Sequence, residues 1–481
     1  MNKAAAVAIA AVVGIGGAAA GAFAWTGGAA LQQLQAQSAD LTKLSPSFKV
    51  VDEKVERGLF RSSYEVKLRI GCVPQVPGSA LEAGEPIELG VHTDIHHGPL
   101  FGSGAGFAEL ATTLVVPDGW KARAEALTNK QPPLRVVTKI AFDRSFSSEL
   151  TVPALKFEDP KAGRFETFPL KAKIKGSNAD PSAGGTYDYE LPSWGMNTQA
   201  PDASFEMTVG RMQGHATIAP RKDPTLWLSD SQATGSLKDL AFAASAPSSF
   251  GGPPTTFKSG FPLLTFKADS KLDKGLYASE VAYAGSGTFN AFKIDKVELK
   301  GGLRRLDAAS YQALLKHVLE NALSCDPKAG GLEAAFPALE KEAVTLLTHD
   351  PEYGLDSLAI EIDGQRGELS YALGTRGVKP SDTQRALLDL AMQYGVARAH
   401  VKVQLGLLDA IDKRLVASTP NAQPGMVRAM ADLALAQLGE SGYVVQTGDA
   451  LESTLVYENG QLLLNGKPPV LPDLGNLMGG P

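Results

Sequence analysis

FKVVDEKVERGLFRSSYEVKLRI, residues Phe48–Ile70, alternates polar and apolar positions with a period of two, as a strand with one buried face does. Arg57-Gly58 interrupts the alternation where a turn or bulge is needed, so the stretch predicts a β-hairpin. Outward from it, strand-like runs recur at Ile87–His97, Leu110–Val116, Leu134–Phe142, Leu150–Phe157 and Phe205–Ile218, separated by Pro and Gly clusters. The 50 glycines and 30 prolines suit a chain of many strands and many turns. Between Ser245 and Thr256 large apolar residues are too sparse to pack, which marks a loop or boundary. Strands resume over Leu263–Leu299. Asp307 then caps a helix to about Leu323, with Tyr311, Leu314, Leu315, Val318, Leu319 and Leu323 at helical spacing. Helical patterns follow at Pro337–Leu347, Asp382–Tyr394 and Pro424–Leu438, with strand patterns at Leu358–Ala372 and Val396–Leu405. Leu451–Tyr457 and Gln461–Leu464 flank Asn459-Gly460, the pairing that supplies the positive φ angles of a tight hairpin turn.

At the other end, Ala4–Trp25 carries no charge and follows Lys3. At about 1.5 Å per residue it just spans a hydrocarbon layer of roughly 30 Å. Positive charge on the short leading side keeps that side in the cytoplasm and sends the rest outward. The expectation is a single-pass bacterial inner-membrane protein with its body in the periplasm. Ala22-Phe23-Ala24 also has the small-x-small form cut by signal peptidase, so a cleaved signal peptide stays open. The predicted fold class is α+β: an N-terminal membrane anchor helix, then an extended antiparallel β-rich body with several packed helices in the C-terminal half. The predicted organisation is an anchor or signal peptide over 1–28, a stalk over 29–43, a β-rich domain over 44–250, an α+β domain over 255–467 and a flexible tail over 468–481.

A formal charge of −6, with acids and bases interspersed, gives no electrostatic footprint for nucleic acid. Gly17 and Gly21 form a GxxxG step through which two anchor helices could pair, leaving a homodimer open. The two cysteines, Cys72 and Cys325, form a disulfide if the fold brings their Cα atoms within about 7 Å, and otherwise are two buried thiols.

Three separated stretches carry a resemblance. They are Arg57-Gly58-Leu59-Phe60 with Ser62 and Ser63; His97-Gly98-Pro99-Leu100; and Tyr457-Glu458-Asn459-Gly460-Gln461-Leu462 running to Asn465-Gly466. In order and placement they resemble the YdgA/YihF family of bacterial envelope proteins, whose domain has no assigned activity. The resemblance implies an inner-membrane-anchored periplasmic protein with some link to motility or envelope upkeep, and it supplies no catalytic residue.

The one local concentration of metal ligands is His92, Asp94, His96 and His97. On a strand the first three share a face, and imidazoles with a carboxylate suit zinc. The order is not the His-x-His-x-Asp-His of metallo-β-lactamase-like hydrolases, and a solvated strand face ending in a turn explains the same residues. No zincin helix, Cys-x-x-Cys pair or Gly-x-Ser-x-Gly elbow is present. Gly466-Lys467 resembles a phosphate loop, but Pro468 stands where Ser or Thr is required. No cofactor is implied. The leading expectation is therefore a non-catalytic binding or scaffolding protein with a groove for lipid or peptide and a lipid or envelope protein as partner. The alternative is a metal-dependent hydrolase centred on His92–His97.

Overall fold

A computed structural model describes residues 48–72, 86–101, 104–159, 163–178, 183–200, 203–223, 225–247, 255–290, 292–322, 340–382, 384–418, 423–440 and 442–469. The expected anchor (1–28) and stalk (29–43), Cys325 and nearly all of the tail lie outside these residues.

The α+β expectation is overturned. The chain is mostly antiparallel β-sheet, 60% strand against 18% helix, and no helix of the described residues is long and apolar enough to cross a membrane. The physical reason lies in the connections. Period-two alternation continues on both sides of each helix, so the helices are inserted between strands that already pair with one another. They do not form a layer equal to the sheet.

The described residues form two units. The first holds those up to Lys258 with those from Gln312, and the second holds Ser259–Tyr311 with those from Glu340. In the first, β1 (Lys49–Arg57) and β2 (Arg61–Cys72) make the hairpin expected around Arg57-Gly58. Next come β3 (Pro86–His97), a small hairpin of β4 (Leu100–Phe101) and β5 (Gly104–Ala105), β6 (Ala108–Val115), helix α1 (Asp118–Thr128) and β7 (Arg135–Ile140). Then follow β8 (Phe146–Val152), β9 (Lys156–Asp159), β10 (Gly163–Thr167), β11 (Leu170–Gly176), β12 (Gly185–Leu191), β13 (Trp194–Gln199), β14 (Ser204–Val209), β15 (Arg211–Ile218) and β16 (Ser231–Ala246).

From β8 onward the strands come in collinear halves. β11 pairs with β8 and β12, while β10 pairs with β9 and β13. β16 pairs with β15 through its first half and with β14 through its second. Each long strand is thus broken once: at 153–155, at 168–169, at 192–193, at Gly210 and at Asp239, whose φ is 51°. Pro153, Pro169 and Pro192 occupy the breaks because proline cannot donate to a ladder. Thr167 N–H to Leu155 O (2.9 Å), Phe168 N–H to Gly195 O (2.9 Å) and Gly210 N–H to Lys238 O (3.0 Å) stitch the resulting crease.

One face of this sheet is apolar. Tyr64, Val66, Ile95, Ala108, Leu110, Ile140 and Phe146 form its buried core. Of the hydroxyls that intrude, Thr93 pairs with Thr112 (2.9 Å) and Thr138 with Ser148 (2.7 Å) across strands, which removes the cost of burying them unpartnered, while the Ser62 hydroxyl has no partner.

The second unit contains β17 (Thr255–Asp273, from Ser259 on), β18 (Leu276–Phe289), β19 (Phe292–Asp307), helix α2 (Ala308–Ala322, divided between the units) and helix α3, described over 340–347. β20 (Glu352–Ile362), β21 (Gln365–Thr375), helix α4 (Leu387–Tyr394), β22 (Gly395–Gln404), helices α5 (Leu405–Ser418) and α6 (Met426–Glu440), and β23 (Val445–Thr447), β24 (Ala450–Glu458) and β25 (Gln461–Leu464) complete it. Asp307 caps α2 as expected, its carboxylate accepting the Ser310 N–H at 2.9 Å.

The Asn-Gly steps prove to be backbone devices. Asn459 (φ 55°) and Gly460 (φ 75°) form the β24–β25 turn, and Asn465 (φ 50°) and Gly466 (φ 78°) the one after it. The Asn465 side chain accepts the Thr454 N–H (2.7 Å) and donates to Gly442 O (2.9 Å) and Tyr443 O (3.2 Å). Asn465→Ala removes all three bonds and is expected to cost about 2 kcal/mol, read as a lowered thermal midpoint.

Candidate functional site

In an antiparallel sheet, residues directly opposite one another share a face. Phe266, Tyr283, Leu299, Leu358, Leu369 and Val401 are opposite one another across β17 to β22. Two rows further on, Leu303, Tyr353, Leu373, Ala397, Tyr457 and Leu462 do the same across β19 to β25. These rows are apolar, with Ser279 and Ser453 at their margins, and the middle of the face is uncovered: Tyr283, Tyr353, Leu358, Leu373, Val401 and Leu462 are exposed.

Helices bound this surface on two sides. At one end α5 covers the next row, where Leu407 packs with Ile360, Ile362 and Val403. Leu407 sits close over Gly367, where a Cβ would lie 2.8 Å from its Cδ2 and would displace it. At the other end the Thr375 hydroxyl donates to Leu347 O of α3 (3.2 Å), and the Tyr457 hydroxyl to Met392 O of α4 (2.5 Å). Val344, Val378 and Leu390 close that end as a core of their own. Between the two lies an open apolar floor of roughly 13 by 19 Å, from four residues along a strand and four strand spacings. Its phenols are bonded to each other, Tyr371 to Tyr353 at 3.1 Å.

The opposite face is a charge ladder. Arg304 binds Asp356 (2.7 Å), Glu352 (3.0 Å) and Glu280 (3.2 Å), and these acids, Asp356 foremost, raise its already high pKa. Arg366 bridges Glu298 (3.0 Å) and Glu368 (3.2 Å). Lys296 and Arg366 hold the Glu298 carboxyl below its ordinary range, and Ser357 and Arg366 do so for Glu368. Folded values below the unfolded ones mean that this stabilisation is present above the ordinary carboxylate pKa of about 4.3 and is lost as pH falls through the lower folded values. The thermal midpoint is therefore expected to drop as acid is added below about pH 4.5, and the drop to shrink in high salt.

The histidine cluster does not assemble a centre. His92, Asp94 and His96 share the outer face of β3, and His97 alternates to the other. His92 Nε2 lies 3.5 Å from Asp94 and its Nδ1 3.9 Å from Glu65, which makes an exposed ion-pair row. Among the described residues no group of three or more His, Cys, Asp or Glu side chains could hold a metal ion.

The motif residues serve the backbone. Arg57 and Gly58 sit at the β1–β2 turn, and a Cβ on Gly58 would lie 2.5 Å from Arg61 O. His97, Gly98 and Pro99 end β3 with a cis Gly98–Pro99 bond. Gly98 lies against backbone, a Cβ there falling 1.9 Å from Gly106 O. The open apolar floor was not among the expected site residues. Alternation marked its strands, but which rows stay uncovered depends on where α3, α4 and α5 land.

The described part of the second unit thus carries an uncovered apolar sheet face, bounded by helices and backed by a charge ladder. By sequence the chain belongs to the family described as bacterial protein of unknown function (DUF945), whose model matches residues 1–472. No curated protein matches it. No solved structure matches it either.

Proposed function

We propose that this protein is a non-catalytic lipid-binding protein of the bacterial envelope, exported to the periplasm, whose second unit holds acyl chains against the open floor of its sheet. The observation that carries the proposal is the exposure of Tyr283, Leu358, Val401, Tyr353, Leu373 and Leu462 on one face between two helical borders. Exposed apolar area of this extent is unfavourable in water and marks an interaction surface. Acyl chains suit the floor because its hydroxyls are few and partly paired, so it asks for little hydrogen bonding in return. Export is supported by the uncharged Ala4–Trp25 stretch behind Lys3. The resemblance to the YdgA/YihF family points the same way.

Two experiments test the reading. Full-length protein extracted in mild detergent is expected to carry stoichiometric lipid in native mass spectrometry; lipid-free protein that also takes up no fluorescent fatty acid would remove the acyl-chain role. A C-terminal alkaline phosphatase fusion is expected to be active, and an inactive fusion would place the body in the cytoplasm.

A further inference from the structure

We infer that the end of the first unit formed by the β1–β2, β3–β6 and β7–β8 connections docks on an anionic lipid surface. In a meander alternate turns fall at the same end of the sheet, so these three are neighbours. Backbone bonds join them, His97 N–H to Phe60 O (2.9 Å) and Phe107 N–H to Ile140 O (2.8 Å), and Gly106 N–H to Pro99 O (3.1 Å) closes the β3–β6 connection on itself. Phe107 and Phe142 stack edge to face at 5.4 Å across two of them.

What these turns present to solvent is apolar. Leu59 is 84% exposed, Leu100 77%, Phe60 74% and Phe142 55%. Turns ordinarily carry Gly, Pro, Asn, Asp and Ser, so large apolar tips at three adjacent turns are not explained by turn chemistry. They lie at the sheet's end, away from its buried core, and contribute little to folding.

Charge decides the partner. Arg57, Arg61 and Arg144 are exposed around the tips. Of the acids nearest the tips, Glu56 is paired with Lys54 at 2.7 Å, while Asp143, whose carboxylate accepts the Ser145 N–H and hydroxyl at 2.9 and 2.6 Å, keeps its charge, so three arginines stand there against Asp143. Short apolar side chains ringed by arginine fit the boundary between acyl chains and anionic headgroups, the first entering and the second staying with phosphate. An apolar protein partner would have no use for the arginines. The inference rests on the first unit alone and is independent of the acyl-chain floor.

The test uses the full chain with an environment-sensitive fluorescent amino acid at position 59, 100 or 51. It is mixed with vesicles of phosphatidylcholine alone or with added phosphatidylglycerol. Position 51 lies about 20 Å back along β1 from the turn, at roughly 3.4 Å per residue, and reports any docking that does not involve the tips. Emission at 59 and 100 is expected to shift to the blue with phosphatidylglycerol vesicles only, with no shift at 51. Arg57→Gln and Arg61→Gln are each expected to weaken the vesicle partition about fivefold, the equivalent of about 1 kcal/mol per basic residue. Phe60→Ser serves as the apolar counterpart. Emission at 59 that ignores vesicles, that shifts equally at 51, or that is already blue without vesicles would overturn the inference, the last by showing that protein covers the tips.

Discussion

Full-length protein carrying Leu358→Asp, Leu373→Asp and Val401→Asp is expected to lose the lipid that the parent protein carries. These side chains stand on the open floor at 39%, 48% and 37% exposure, so little native packing depends on them. Each change in an exposed position shifts stability by about 0.5 kcal/mol or less. Against a bound acyl chain the balance differs, because each removes an apolar contact of about 1.5 kcal/mol or more and sets a charge against hydrocarbon. The summed effect exceeds a hundredfold in fatty-acid affinity, measured by titration with a fluorescent analogue. Retained affinity with an unchanged thermal midpoint would move the ligand elsewhere.

Gly98→Ala carries the largest expected stability loss. The added carbon would fall 1.9 Å from Gly106 O and 2.7 Å from Phe107 O, both backbone atoms of the returning arm of the same connection. It would also displace the Gly98 N–H from Phe107 O, now 2.7 Å away. Neither obstacle is a flexible side chain, so the β3–β6 connection must move as a whole, at a cost of about 3 kcal/mol in urea unfolding. Gly104→Ala in the same connection is the control for space, since nothing lies within 4 Å of a Cβ there. Its penalty is limited to the strain of a φ of 148°.

These particulars show what was legible in the residues. The β1–β2 hairpin, the Asp307 cap and the Asn459-Gly460 turn could be read because each is decided within a few residues. Phe205–Ile218 could not be read correctly as one strand, because Gly210 breaks it only through its register with Asp239. Helix α5 follows β22 without an intervening residue and is not legible, since the strand pattern runs on to Leu405 and the Gly406 beside the junction reads as a break, not as a helix start. Helix α1 escaped notice for the opposite reason: much of it is exposed, so it lacks a strong apolar stripe, and only Asn129, at φ 52°, marks where it stops. The histidine row was visible, but its chemistry was not. Alternation puts three ligands on one face without deciding what the neighbouring strands bring to them: β2 brings Glu65, Ser63 and Arg61 and β6 brings Thr113, Ala111 and Glu109, which among the described residues close no metal set.

In both units each strand, with the collinear halves counted as one, hydrogen-bonds chiefly to the one before it and the one after it. Loop-closure entropy is then met in small instalments, which shortens the search that slows most β proteins. A polypeptide emerging from one end can thus zip up in order of arrival, each hairpin laying down the template for the next, with no segment left waiting for a distant mate.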